Sequence, residues 1–138
     1  MLRKGIGLDV GTTRTTISTV EDGVLLHEPT VAAVDADTDE VVAAGESAIK
    51  MVQESPDRLR LCWPVWDPIV KCSEILAAML RIFLKRALGR TLFRPQIMVS
   101  IPCDLTEAQT NAVEDAVLRA GASRVHLLEA TTCTLRKT

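Results

Sequence analysis

The chain has 138 residues, 47% of them hydrophobic and 25% charged, with a formal net charge of -2. That supplies one folded core and excludes a disordered chain, while a weakly negative balance without a basic run gives no electrostatic case for nucleic acid. Cys62, Cys72, Cys103 and Cys133 form no Cys-x-x-Cys pair and only His27 and His126 could join them, so neither zinc nor a disulfide framework is indicated.

The first predicted element is an apolar strand, Gly5 to Val10, which runs into Gly11-Thr12-Thr13-Arg14 and leaves as a second strand through Thr15, Thr16 and Ile17. Such a turn is able to cradle phosphate. Gly11 is expected to take a positive φ, so that the N–H groups from Gly11 to Arg14 point one way at an anion. Asp9 would repel a phosphate directly, but through water it can hold a magnesium ion that neutralises one. Thr12, Thr13, Thr15 and Thr16 add hydroxyls, of which only alternate ones share a face. The same residues also describe an ordinary tight hairpin with β-branched strands. No Gly-x-x-x-x-Gly-Lys-Ser/Thr occurs, which excludes a P-loop, and no Gly-x-Gly-x-x-Gly opens a helix.

Further along, Glu21-Asp22-Gly23 reads as a turn, and Val24 to His27 and Thr30 to Asp35 as extended segments broken at Pro29, which gives an antiparallel three-strand meander. A polar turn from Ala36 to Glu40, a short strand from Val41 to Ala44 and a short helix from Gly45 to Val52 follow. Pro56, Pro64 and Pro68 punctuate the stretch from Gln53 to Pro68, which is expected to be irregular, with Trp63 and Trp66 covering the core edge. From Ser73 to Leu88, apolar residues at 75, 76, 79, 80, 83, 84 and 88 have helical spacing with one buried face.

Gln96 to Ile101 is an apolar strand, Thr106 with Gln109 forms a capping box, Gly121 closes that helix, and Ser123 to Glu129 is a final strand. Helix–strand–helix–strand after a meander implies two parallel strands added by crossovers, hence a mixed sheet covered by helices. His27 and His126 alternate with apolar residues and are expected to be partly buried; the cysteines are expected to be small apolar fillers. The amino terminus has no apolar signal region and no run approaches a membrane span, so the sequence reads as cytosolic.

Taken in order, Gly7-Leu8-Asp9-Val10-Gly11-Thr12, Glu28-Pro29-Thr30-Val31-Ala32, Gly45-Glu46-Ser47-Ala48, Val99-Ser100-Ile101-Pro102 and Ala120-Gly121-Ala122 resemble the bacterial actin-like rod-shape proteins, the MreB family, from about residue 4 to residue 129. The first motif is shared by actins, sugar kinases and heat-shock chaperones; the ordered set selects the rod-shape branch. The resemblance implies a ribonuclease-H-like α/β fold of the actin ATPase type, with a main subdomain at about 4–30 and 91–138 and a small subdomain inserted at about 31–90.

It also implies ATP-dependent filaments of the protein with itself, peripheral on the inner membrane face, where they guide the cell-wall synthesis machinery. Asp9 would serve magnesium through water, Gly11, Thr12 and Thr13 the phosphates of ATP, and Glu129 the attacking water, while Arg14 either contacts a phosphate or faces solvent, and Leu92 and Phe93 occupy the loop where the family inserts an apolar pair into the membrane or else cap the end of the long helix. This chain departs from the family in Arg14 for Asn, in Pro68-Ile69-Val70-Lys71-Cys72 for Gly-Val-Ile-Ala-Asp, and in Ala130-Thr131 for Glu-Pro. The family's second nucleotide-binding half has no counterpart in these residues, so the active site is expected to be incomplete and ATP binding by this chain weak or absent. Two other readings remain open: the amino-terminal half of a sugar or acetate kinase, and a non-catalytic module that binds filaments.

Overall fold

The computed structural model describes residues 5–66, 69–70, 73–89, 95–101 and 105–129. A meander of β1 (Ile6–Val10), β2 (Arg14–Thr19) and β3 (Gly23–Pro29) opens the fold. Each strand is β-branched or apolar at alternate positions, so each has one face to bury. β2 and β3 slip register between Ile17 and Ser18, which leaves Leu25 as an extra residue and keeps Thr16 opposite His27.

Crossing out of this sheet at Thr30, the chain forms β4 (Ala32–Asp35), β5 (Val41–Ala44) and helix α1 (Glu46–Glu54). Between β4 and β5 the Asp35 carboxylate accepts the N–H groups of Asp37 (2.8 Å) and Thr38 (3.1 Å). Those bonds, the Asp37 one first, hold its pKa below the usual carboxylate value. β6 (Leu59–Cys62) then pairs with the other edge of β4, giving a three-stranded sheet in the order β5-β4-β6. The expectation of an irregular stretch from Gln53 to Pro68 is therefore wrong at β6 and at β7 (Val65–Trp66), which pairs with β8 (Ile69–Val70). Pro56 and Pro64 lie outside these strands, so neither removes a ladder donor. Trp63 is 37% exposed and is not a core cover.

The remaining elements are α2 (Ser73–Leu88), β9 (Gln96–Ile101), α3 (Glu107–Ala120) and β10 (Arg124–Glu129). The order of the large sheet is β10-β9-β1-β2-β3, with β9 parallel to β1 and β10 parallel to β9, as the crossover argument requires. α2 buries Leu76, Met79, Leu80, Phe83 and Leu84 against α3 and against the sheet face formed by Ile6, Leu8, Val10, Ile17, Ile97, Val99 and Ile101. At roughly 1.5–3 kcal/mol per fully buried large side chain, this face is the main source of stability.

β4 is buried on both faces, which is why it is small: Ala33 packs with Val31, Ala43 and Ala48 under α1, while Ala32 and Val34 join the main core. His27 and His126 are exposed on the other face of the large sheet, a correction to the expected partial burial. Alternation with apolar neighbours sets the side of the sheet, and among the described residues no helix covers that side. Cys62 is half-buried against the main core, whereas Cys72, Cys103 and Cys133 lie outside the described residues.

The capping box of α3 forms as the sequence predicts: the Gln109 N–H donates to Thr106 Oγ1 at 3.1 Å and the Thr106 N–H to Gln109 Oε1 at 2.9 Å. Thr106→Ala is expected to lower the unfolding free energy by about 1 kcal/mol, read as a lower urea midpoint at unchanged m-value. An unaltered midpoint would mean that α3 is held by packing alone.

Candidate functional site

Because β1, β9 and β10 run parallel, their carboxyl ends lie along one edge of the sheet, where open α/β sheets take their ligands. Asp9 lies at that end of β1, exposed on the helix-free face, in register with Thr16 of β2 and Ser100 of β9. Thr16 is in turn opposite His27, whose Nδ1 is 2.9 Å from Thr16 Oγ1. Directly opposed side chains stand about 4.5–5.5 Å apart at Cβ. Ser100 and Thr16 are therefore the cross-strand neighbours of Asp9 on that face, with the Thr16 hydroxyl engaged by His27. Ser100 was not among the residues assigned a site role from sequence, although its outward place between apolar Val99 and Ile101 is a readable signal.

The turn itself differs from the expectation in two ways. Gly11 does not have a positive φ; in this chain the described glycines that do are Gly23, Gly45, Gly89 and Gly121. Glycine relieves crowding there, since a Cβ at Gly11 would stand 3.0 Å from the Arg14 carbonyl oxygen, tight enough that one of the two must give. The Gly11 N–H is also committed, donating to that same carbonyl at 2.9 Å. What remains are the N–H groups and hydroxyls of Thr12 and Thr13, which bond to no protein group among the described residues, while the Thr13 carbonyl accepts the Thr30 N–H at 2.9 Å.

Thr15 faces inward, fully buried, its hydroxyl 2.8 Å from that of Thr30, and is no ligand group. Arg14 is exposed at the start of β2. The structure thus brings together Asp9, Gly11, Thr12, Thr13 and Arg14 and adds Ser100 and Thr16. Glu129 ends β10, level with Ile101 of β9 and on the same edge, with its side chain outside the described residues. Leu92 and Phe93 lie outside them as well.

A donor set of this kind suits an anion with its counter-cation. The amides and hydroxyls of Thr12 and Thr13, which have no protein partner among the described residues, follow closely on one carboxylate in the chain. Among the described residues no three His, Cys, Asp or Glu side chains converge on a metal position. Magnesium asks for no more than one or two carboxylates when waters and phosphate oxygens complete its shell, so Asp9 fits a water-mediated role.

The fold has solved counterparts. MreB5 of Spiroplasma citri bound to AMPPNP superposes with a TM-score of 0.77 at 24% identity, over 94% of this chain and 39% of that one. A MamK double helical filament superposes with a TM-score of 0.75 at 15% identity over 93% of this chain. The architecture is that of the actin-like proteins. The MreB/Mbl protein family model matches residues 3–134, and the chain belongs to that family. It is 33% identical over 130 residues to the cell shape-determining protein Mbl of Bacillus cereus and 27% identical over 135 residues to the cell shape-determining protein MreB of Escherichia coli K12. In both cases 94% of this chain aligns, and it spans 39% of the relative's length.

Gly11→Ala is expected to destabilise the chain by about 1–3 kcal/mol through the contact with the Arg14 carbonyl. Chemical denaturation checks this, and a loss below about 0.5 kcal/mol, the range of inert surface changes, would show that the turn has slack.

Proposed function

We propose that this chain is the amino-terminal part of a cell-shape-determining cytoskeletal ATPase, in which the β1–β2 turn holds the phosphates of ATP. The observation that carries the reading is the Thr12 and Thr13 amides, which bond to no protein group among the described residues and follow the Asp9 carboxylate at the carboxyl edge of the parallel strands. It is supported by relatives named for cell shape, by MreB5 structures bound to AMPPNP and to ADP, and by MamK in filament form.

In this reading Thr12 and Thr13 bind phosphate oxygens, Arg14 adds positive charge at the rim, and Asp9 orients the water shell of magnesium with Ser100 and Thr16 at its sides. Glu129 positions the water that attacks. Bound magnesium supplies charge neutralisation; phosphoryl transfer then needs little beyond positioning. Residues 31–90 include a small inserted subdomain, with α2 packed on the main one at about 4–30 and 91–138. Small-ligand sites bury most of their ligand, and this turn is one wall of such a site, so ATP binding by these 138 residues alone is weak.

The protein assembles with itself into filaments that lie on the inner membrane face and guide the wall synthesis machinery. Among the described residues no helix is long and apolar enough to cross a membrane. Leu92 and Phe93 are the contact, contributing about 3–6 kcal/mol together at most. That is marginal for one copy and sufficient when a filament repeats it.

The reading is tested by joining the chain to the carboxyl-terminal part of its Bacillus cereus relative. Magnesium and ATP at about 100 times the dissociation constant should add about 2.7 kcal/mol, seen as a rise of several degrees in melting temperature. Asp9→Ala should abolish the rise. An equal rise in the variant removes Asp9 from the site, and no rise in the parent fusion removes the site itself.

A further inference from the structure

Thr30 joins the candidate phosphate turn to the three-stranded sheet. Its N–H donates to the Thr13 carbonyl at 2.9 Å, and its hydroxyl lies 2.8 Å from that of Thr15, with both side chains fully buried. One residue on, the Val31 N–H bonds to the Pro29 carbonyl at 2.9 Å, closing a three-residue γ-turn with Thr30 at its centre. The Val31 carbonyl then accepts the Gly45 N–H at 2.8 Å, and the next N–H, that of Glu46, donates to Glu28 Oε1 at 2.8 Å. The other oxygen of Glu28 pairs with Arg86 of α2 at 3.1 Å.

We propose that Thr15 and Thr30 are positioning residues that couple the β1–β2 turn mechanically to the amino-terminal end of α1, so that displacement of one displaces the other. Each link is short, and there is no slack at the far end. Gly45 has φ +73°, and a Cβ there would collide with the Glu28 carboxylate, so the backbone and that side chain are in direct contact. At the near end the Thr15 and Thr30 hydroxyls are sealed from water, and breaking their bond would leave both unsatisfied. A γ-turn is too small a ring to absorb a shift, so moving the Thr13 carbonyl carries Val31 and, through it, Gly45.

The purpose of the coupling rests on reading the turn as a phosphate site: occupancy there would be felt by the three-stranded sheet. The test contains no nucleotide, so either idea can fail without the other. Amide hydrogen exchange is followed residue by residue in the full chain. Glu28→Ala removes the carboxylate that accepts the Glu46 N–H and leaves the backbone of α1 unaltered. It should speed exchange of the Gly11 amide at least about fivefold, the lower end of ordinary coupling energies. In the other direction, Gly11→Ala should speed exchange of the Gly45 amide beyond any change common to the whole chain.

Thr15→Val with Thr30→Val removes the hydroxyl pair together, which avoids an orphaned group and keeps the packing. In that background the side-chain tie between Thr15 and Thr30 is gone while the Thr30 N–H bond to the Thr13 carbonyl remains, so both remote responses should be smaller than in the parent chain. If Glu28→Ala costs helical circular dichroism, Glu28→Met, which keeps the stem and offers no oxygen acceptor, takes its place with the same expected outcomes. Remote amides that do not respond in the parent chain, or that respond equally in the double valine background, overturn the proposal.

Discussion

The fold depends on the position of β1 in the large sheet, antiparallel to β2 on one side and parallel to β9 on the other. A strand in that place must bury one face under the helices, and Ile6, Leu8 and Val10 do so. Alternation then leaves Asp9 on the other face with no freedom in the matter, and a one-residue slip in register would exchange the two sets. The pairing with β2 fixes the turn directly after Asp9, and the pairing with β9 brings Ser100 beside it. The site is therefore a consequence of how the core is filled.

The chain's membership of the MreB/Mbl family gives this arrangement a setting, and its own residues modify it. Where the family resemblance leads one to expect Asn, Arg14 places a cation at the rim of the turn. Its main-chain carbonyl is already used to close the hairpin with Gly11, so only its side chain is free to be varied. Glu28 and Gly45, which belong to two of the motifs that carried the resemblance, turn out to touch each other. A carboxylate capping Glu46 N–H is one reason for both residues to be as they are.

Much of this was legible in the amino-acid order. α2 has the predicted bounds because sixteen residues of clean helical spacing are interrupted by neither glycine nor proline. The Thr106 cap and both parallel strands followed from local pattern and chain connectivity. β6 was not legible: Leu-Arg-Leu-Cys is too short to announce a strand, and it becomes one because the edge of β4 is available to it. The role of Gly11 was misread because the reason for a glycine lay three residues away, at the Arg14 carbonyl, and not in its own φ. The Thr15–Thr30 contact spans fifteen positions, and nothing local marks it.

The claim on which the account rests is that the Thr12 and Thr13 amides beside Asp9 are a preformed phosphate site. Its most direct measurement is a nuclear magnetic resonance titration of the chain itself with ATP, in the presence and absence of magnesium. Weak binding, with a dissociation constant of about 1 mM, is readable in this way. The amide signals of Thr12 and Thr13 should move first and saturably, with a larger response when magnesium is present. Signals that move only elsewhere, or Thr12 and Thr13 amides that stay in place while the nucleotide binds, would contradict it.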